Sequence, residues 1–282
     1  MEIKKGTRVF ITGAASGMGM AAAIKCADLG AELFLTDANG EGLDKTAALI
    51  KESGGDLKES RALDIRDYEA VKNFADHIVD TYGPVEVLMN IAGIALFARP
   101  EDTDHERWKR VIDTNLWGPI HGVECFLPGM VRQGRGHIVT VSSAAALIGW
   151  PWHVAYSTTK FGVLGMSEVL KIDMKKHNIG ITVVCPGAVN TAMVQSTEIM
   201  GLDREEGEVK RYIDRFQKHA ISPEDVADMI VEGVRKNRFL VITSFDIKLL
   251  YFLKKFFPPA YRLALGYMSK EFERLYDKGK KV

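Results

Sequence analysis

Short runs of β-branched and aliphatic residues alternate with longer amphipathic stretches along most of the chain. Arg8-Val9-Phe10-Ile11-Thr12 reads as a strand, followed by glycines and by a helix near 17–29. Glu32-Leu33-Phe34-Leu35-Thr36 is the next strand. A helix follows to about Ser53, and Gly54-Gly55 end it, as glycine does just past a helix C-terminus. Further strands are predicted near 58–63, 85–89, 137–142, 181–185 and 239–243, with helices between them. Residues 88–98 are apolar almost throughout. They are too few to cross ~30 Å of hydrocarbon as a helix, so a central buried strand is expected there. Strands alternating with helices imply βαβ units, a parallel sheet and right-handed crossovers.

The length of 282 residues would suggest two domains at roughly 150 residues each, but α/β folds of this size often form one. The expected division is a single domain over 1–243 and an aromatic, basic helical extension over 244–282. Apolar residues make up 46% and charged residues 26%, the profile of a globular protein rather than a disordered or collagenous one. Thirty-seven basic residues balance thirty-seven acidic ones, so net charge suggests no nucleic-acid partner. Cys26, Cys125 and Cys185 are odd in number and far apart, which fits neither a disulfide framework nor a zinc site. A reducing, cytoplasmic setting is expected. Met1–Gly6 has no apolar segment behind its charges, so no signal peptide is expected. No apolar run is long enough to predict a transmembrane helix.

Thr12-Gly13-Ala14-Ala15-Ser16-Gly17-Met18-Gly19 falls between the first strand and the first helix, where a pyrophosphate-binding turn belongs. Its glycines let backbone approach phosphate, and the helix N-terminus offers free N–H groups and a positive dipole end. Asp37 closes the second strand, where a carboxylate can accept hydrogen bonds from an adenosine ribose diol and repel a 2′-phosphate. No Arg or Lys lies between Gly13 and Gly19 or at 38–39 to offset it, which favours NAD over NADP as cofactor.

Tyr156 and Lys160 stand at i and i+4, on one face of a helix. Ser143 lies upstream at the end of the Ile138–Ser142 strand, at the carboxyl edge where parallel sheets bind ligands. With these residues the chain resembles the short-chain dehydrogenase/reductase family, in its single-domain branch. The matching motifs are Thr12-Gly13…Gly17-Met18-Gly19, Asn90-Ile91-Ala92-Gly93, Asn115, Ser143, Tyr156…Lys160 and Pro186-Gly187…Thr191, in order over residues 7 to about 243. Ile91 stands where Asn is usual, and Met18 where Ile is common.

The resemblance implies a Rossmann-like, doubly wound seven-stranded parallel sheet with helices on both faces. It implies Tyr156 as general acid/base, Ser143 as holder of the substrate oxygen, Lys160 as partner of Tyr156 and of the nicotinamide ribose, and Asn115 as the anchor of a water in a proton path. For Asn115 a helix-distorting polar residue is the other reading. Work near neutral pH would need the Tyr156 pKa depressed by about 3 units, which a cation ~4 Å away can supply. Ser142 is the rival of Ser143, but its spacing to Tyr156 fits less well. The resemblance further places Asp64 and Ile65 at the adenine, with an N-cap as the other reading of Asp64. Backbone at Asn90, Ala92 and Gly93 would touch the cofactor, and Pro186, Gly187, Val189 and Thr191 would bind its nicotinamide end.

The loop from Ala144 to Ala155 is apolar and carries Trp150 and Trp152. With Leu96, Phe97 and a lid over 192–215 that includes Met193, it suggests a pocket for a small hydrophobic alcohol or ketone. Structural packing of the two tryptophans is the alternative, and for His153 a surface or satisfied role is favoured over substrate contact. The expected function is NAD(H)-dependent interconversion of a hydrophobic secondary alcohol and its ketone. The alternatives are an NADPH-dependent ketoreductase of acyl thioesters and a non-catalytic NAD(H)-binding regulator. Apolar helix faces near 105–127 and 154–175 suit a homodimer or homotetramer. The extension holds nine aromatics and nine Lys/Arg against four Asp/Glu. Packing on the core, the pocket or another subunit is favoured for it over peripheral membrane contact or a partner-protein site.

Overall fold

In the computed structural model, residues 1–191, 198, 199, 201, 202, 207–218 and 220–279 are described. Strand β1 (Arg8–Thr12) leads through the glycine turn to α1 (Gly17–Asp28), β2 (Glu32–Asp37), α2 (Gly40–Glu52) and β3 (Asp56–Ala62). Then follow α3 (Tyr68–Tyr82), β4 (Val87–Asn90), β5 (Leu96–Phe97), α4 (His105–Ile112), α5 (Gly118–Gln133) and β6 (Gly136–Val141). The second half carries α6 (Val154–Asp173), β7 (Ile179–Cys185), β8 (Glu198–Ile199), α7 (Gly207–Lys218), α8 (Pro223–Arg235) and β9 (Leu240–Ile242). Two more helices, α9 (Phe245–Phe256) and α10 (Pro258–Gly279), follow β9.

Seven strands form one parallel sheet in the order β3-β2-β1-β4-β6-β7-β9. Strand order reverses between β1 and β4, which opens a crevice beyond their carboxyl ends. The central strands are mostly apolar because helices cover both faces, and every residue of β6 is buried, His137 and Thr140 included. On one face α1 and α8 pack Ala22, Ala23, Val226 and Ile230 against Val9, Ile11 and Leu33. On the other, α3 and α5 pack Phe74, Ile78 and Phe126 against Phe10, Phe34 and Leu88. Strand β3 is polar and largely exposed because it lies at the edge, where charges discourage further strand pairing. Among the described residues no helix is long and apolar enough to cross a membrane.

One expectation fails. The apolar run 88–98 is not a single central strand: β4 ends at Asn90, and Leu96–Phe97 pairs in parallel with Glu198–Ile199 in a separate two-stranded sheet. The strand stops because the Thr12 hydroxyl accepts the Ile91 and Ala92 N–H groups, both at 3.1 Å, and turns the chain out of the ladder. The extension forms two helices that break at Phe257, immediately before Pro258-Pro259, as proline requires.

Candidate active site

The glycine turn sits at the crevice. A Cβ on Gly19 would fall 1.9 Å from the Gly13 carbonyl oxygen, and one on Gly13 would fall 2.8 Å from Ala92 backbone. No side chain fits at either position, so backbone N–H groups form the surface there. Ser16 is the N-cap of α1, but its exposed hydroxyl makes no cap bond, which leaves it free toward an anion. Met18 packs its side chain on the core. Thr191 abuts this turn, for a Cβ on Gly17 would lie 3.0 Å from its methyl group. This cradle of amides at a helix N-terminus fits a pyrophosphate.

Asp37 faces the same turn from the end of β2. Its carboxylate accepts the Ala15 N–H at 3.0 Å and the Asn39 N–H at 2.9 Å, which fixes it beside the glycines. Asp64 lies beyond the end of β3 and is not an N-cap; Asp67 caps α3. The Arg66 guanidinium chelates Asp64 and holds its carboxyl below the usual range. Ile65 is buried against Gly118, and its carbonyl accepts from His121 at 2.9 Å. The Asn90 side chain points away from the crevice, into the core, where its amide donates to the Pro119 carbonyl. Any cofactor contact of Asn90 is therefore through backbone.

The second half of the site lies beyond β6 and β7. Ser142 and Ser143 are adjacent but differently used. The Ser142 hydroxyl is buried and donates to the Lys160 carbonyl at 2.9 Å, whereas Ser143 accepts the Ala145 N–H at 3.1 Å and favours the ionised form of the Tyr156 phenol. The side chain facing Tyr156 is thus Ser143. Helix α6 presents Tyr156 and Lys160 one turn apart, with the Lys160 ammonium 5.6 Å from the Tyr156 ring centre. Gly93 closes the other side: a Cβ there would lie 3.0 Å from Asn115 Oδ1 and 3.4 Å from Lys160 Nζ.

Asn115 sits in a π-wound turn, Asp113–Trp117, between α4 and α5. Its amide is spent on the backbone of Ile94, donating to the carbonyl and accepting the N–H, both at 2.8 Å. The distorted helix and the anchoring of the Gly93 loop have one cause, and π turns cluster at functional sites. A water in a proton path would be held by backbone there rather than by the side-chain groups already paired.

The electrostatics differ from the expectation for Tyr156. Burial pushes its phenol up, and Ser143 only partly opposes this, so the depression is not built into the protein by itself. Burial lowers Lys160 to about 8. His153 is half-buried, and desolvation holds it near 4, with its Nδ1 2.8 Å from the Pro151 carbonyl and its ring 5.8 Å from that of Tyr156. A neutral imidazole bonded to a carbonyl donates from Nδ1, which leaves Nε2 as an acceptor. Cys185 lies under Ser143, pushed up to about 12 by burial, and is inert.

After β7, the Pro186 carbonyl accepts the Ala144 N–H and Gly187 N–H donates to Thr243. Val189 bridges Ile221 through the Ala188 carbonyl and the Asn190 N–H, leaving its own N–H and C=O outside that bridge. On the substrate side, Ala144–Ile148 are buried, and Trp152, with φ of 61°, packs among Phe97, Phe272 and Tyr276. Trp150 bridges that cluster and the one around Ile247. Met193 lies outside the described residues. Sequence reading placed Thr12 in the glycine turn but not its hold on Ile91 and Ala92, and it assigned no role to Ile94, Tyr261 or Glu273. Tyr261 accepts the Gly149 N–H at 2.9 Å, and Glu273 accepts from the Trp152 indole at 3.1 Å.

A family model of short chain dehydrogenases matches residues 7–200. The chain is similar to a protein of Mycobacterium tuberculosis named as the oxidoreductase SadH, 34% identical over 275 residues, which cover 96% of this chain and 99% of that one. It is similar in structure to a short-chain dehydrogenase/reductase from Burkholderia phymatum in complex with NAD, at 28% identity and a TM-score of 0.81, covering 90% of this chain and 94% of the other. It is also similar to an actinorhodin polyketide ketoreductase variant with NADPH, at 26% identity and a TM-score of 0.78, covering 86% and 97%.

Proposed function

The chain belongs to the short-chain dehydrogenase/reductase family, and on that premise we propose that it is an NAD(H)-dependent oxidoreductase of a hydrophobic secondary alcohol and its ketone. The observation that carries the cofactor assignment is Asp37, locked by Ala15 and Asn39 at the mouth of the glycine turn. A carboxylate there accepts from a ribose diol and repels a 2′-phosphate. Bound NAD supplies or takes the hydride. The N–H groups from Gly13 to Gly19 and the Ser16 hydroxyl would hold its pyrophosphate, and Ile65 and Asp64 its adenine. Backbone at Asn90, Ala92 and Gly93 would line its middle, with Pro186, Gly187, Val189 and Thr191 at the carboxamide.

Tyr156 gives a proton to the substrate oxygen, or takes one from it, and Ser143 holds that oxygen. Lys160 binds ribose hydroxyls and lowers the Tyr156 pKa when its charge is turned toward the phenolate. Asn115 keeps the Gly93 loop and the α4–α5 turn in register around Lys160. The buried alanines, Leu147 and Ile148 next to Trp150 support an apolar substrate, and His153 Nε2 offers it one acceptor beside Tyr156. Trp117, Phe161, Val169 and Ile172 are exposed on α6 and the turn before α5, which supports self-association through these helices.

The deciding experiment is steady-state oxidation of a panel of steroid, terpenoid and aromatic secondary alcohols with NAD and with NADP. Higher kcat/KM with NAD is expected. Faster turnover with NADP would transfer the reading to an NADPH-dependent ketoreductase, and no turnover with either would favour a non-catalytic NAD(H)-binding regulator.

A further inference from the structure

The two helices after β9 pack on the core with one side only. On α9 the inward residues are fixed: Ile247 is buried, Leu250 and Tyr251 join the cluster of Leu147 and Ile148, and Lys254 donates to the Leu147 carbonyl at 2.6 Å. The outward side carries Phe245, Leu249, Phe252 and Phe256, spaced by four, three and four residues, which is one narrow stripe of a helix. Phe245 is 78% exposed and Phe256 64%. Phe252 touches both Phe256 and Phe257, with ring centres 4.8 and 6.0 Å apart, so the stripe continues around the helix break as one aromatic patch. Leu263 and Tyr267 are exposed on α10. Contiguous patches of this kind mark interaction sites.

We propose that the outer face of α9 seats the protein on an anionic lipid bilayer surface. The charge around the stripe selects this occupant. Lys248 and Lys255, seven residues apart, are exposed along one edge of the stripe, and Arg262 is exposed on the next helix. The segment 244–282 has nine basic against four acidic residues, and because the chain as a whole is neutral the remainder carries the opposite excess. An anionic surface therefore attracts this segment more than the rest of the chain, and Lys248, Lys255 and Arg262 against the exposed Asp246 leave the border of the stripe basic, which turns α9 toward the surface. A second copy fits less well, because antiparallel two-fold pairing through this stripe would place Lys248 and Lys255 of both copies together. Aromatic residues beside lysines on one helix face suit insertion into the headgroup boundary without crossing it. Tyr261 and Lys254 grip Gly149 and Leu147, so the seated surface adjoins the apolar wall of the proposed substrate site.

The test is co-sedimentation of the full chain with phosphatidylcholine vesicles that contain or lack phosphatidylglycerol, at low and high salt. Binding is expected only with phosphatidylglycerol, weaker by about tenfold or more at high salt, where the Debye length contracts to a few ångströms. Phe252→Ser with Phe256→Ser, and separately Lys248→Glu with Lys255→Glu, should each abolish the binding while lowering the melting temperature by no more than a few degrees, since these side chains are largely exposed and lose only the Phe252 contacts with Phe256 and Phe257 or the Lys255–Tyr251 contact. The proposal is overturned if the wild type fails to bind phosphatidylglycerol vesicles. Unaltered binding by both double variants would also overturn it, as would a self-association in lipid-free buffer that the phenylalanine variant dissolves.

Discussion

The Lys160 ammonium donates to the Val141 carbonyl at 3.1 Å, so the end of β6 holds the one lysine of the site in a buried position. This bond satisfies one of its three donors in a place where water is excluded. Burial lowers the group to about 8. The folded chain therefore bears the cost of a buried cation at any pH below that value. The cost is relieved as pH rises from 8 toward the ordinary lysine range, where the unfolded chain still holds its proton.

Lys160→Met should consequently stabilise the protein at pH 7 by about 1–3 kcal/mol, because a shift of each unit corresponds to ~1.4 kcal/mol and one hydrogen bond is lost. The same substitution should abolish turnover. Thermal unfolding of both proteins at pH 7 and pH 10 checks the sign, since the gain should shrink at the higher pH. Tyr156→Phe is the companion measurement. It should lower kcat by a factor of roughly 10²–10⁴ while NADH binding, read by fluorescence, changes little.

Asp37→Ala removes the charge that separates the two cofactors and the acceptor of the Ala15 N–H. The ratio of kcat/KM for NAD over NADP should fall by about tenfold or more, and stability by roughly 1 kcal/mol. An unchanged ratio would remove the basis of the cofactor assignment.

His137 and His153 are both held near 4 by burial, against an ordinary value of 6.5. The unfolded chain binds protons that the folded chain refuses between those limits. Stability is therefore fully present above about pH 6.5 and declines as pH falls toward 4, by up to roughly 3 kcal/mol for each histidine. His137 Nε2 donates to the Thr182 hydroxyl at 2.8 Å, whose own proton goes to the Arg238 carbonyl, and lies on β6 away from Tyr156 and Ser143, so His137→Gln isolates the effect. Urea unfolding at pH 7 and pH 5 should show a smaller difference between the two pH values for the variant.

Phe272 of α10 packs with Trp152 and Tyr276 and is only 3% exposed. Phe272→Ala should cost ~3–5 kcal/mol if the cluster cannot collapse. It should also raise KM for bulky substrates, because Trp152 lies in the chain between Ser143 and Tyr156. Leu263→Ala, on the exposed side of the same helix, should change stability by no more than about 0.5 kcal/mol. Calorimetry of the two variants separates the packed from the free side of the tail.

Local chemistry in the sequence determined the order of strands and helices, the glycine turn, Asp37 at the end of β2 and the pairing of Tyr156 with Lys160. Each is a short-range feature: a period of two or of 3.6 residues, a backbone too crowded for a Cβ, or two side chains one helical turn apart. The tertiary structure decided what depends on contacts between distant segments. Thr12 ends β4 across a sequence distance of almost eighty residues, so the apolar run 88–98 could not reveal where its strand stops. Ser142 and Ser143 are chemically identical; spacing to Tyr156 favoured Ser143, and the Lys160 carbonyl that occupies the Ser142 hydroxyl gives the physical reason. Asn115 could be read as catalytic or as distorting, and its bonds to Ile94 unite the two readings. The pKa of Tyr156 is set by burial, which no spacing records. In the tail, composition announced aromatics and lysines together, but which of them face the core was fixed by the docking of α9 and α10 on Leu147, Gly149 and Trp152. A helix has one periodicity and two sides, and only a neighbour determines which side is covered.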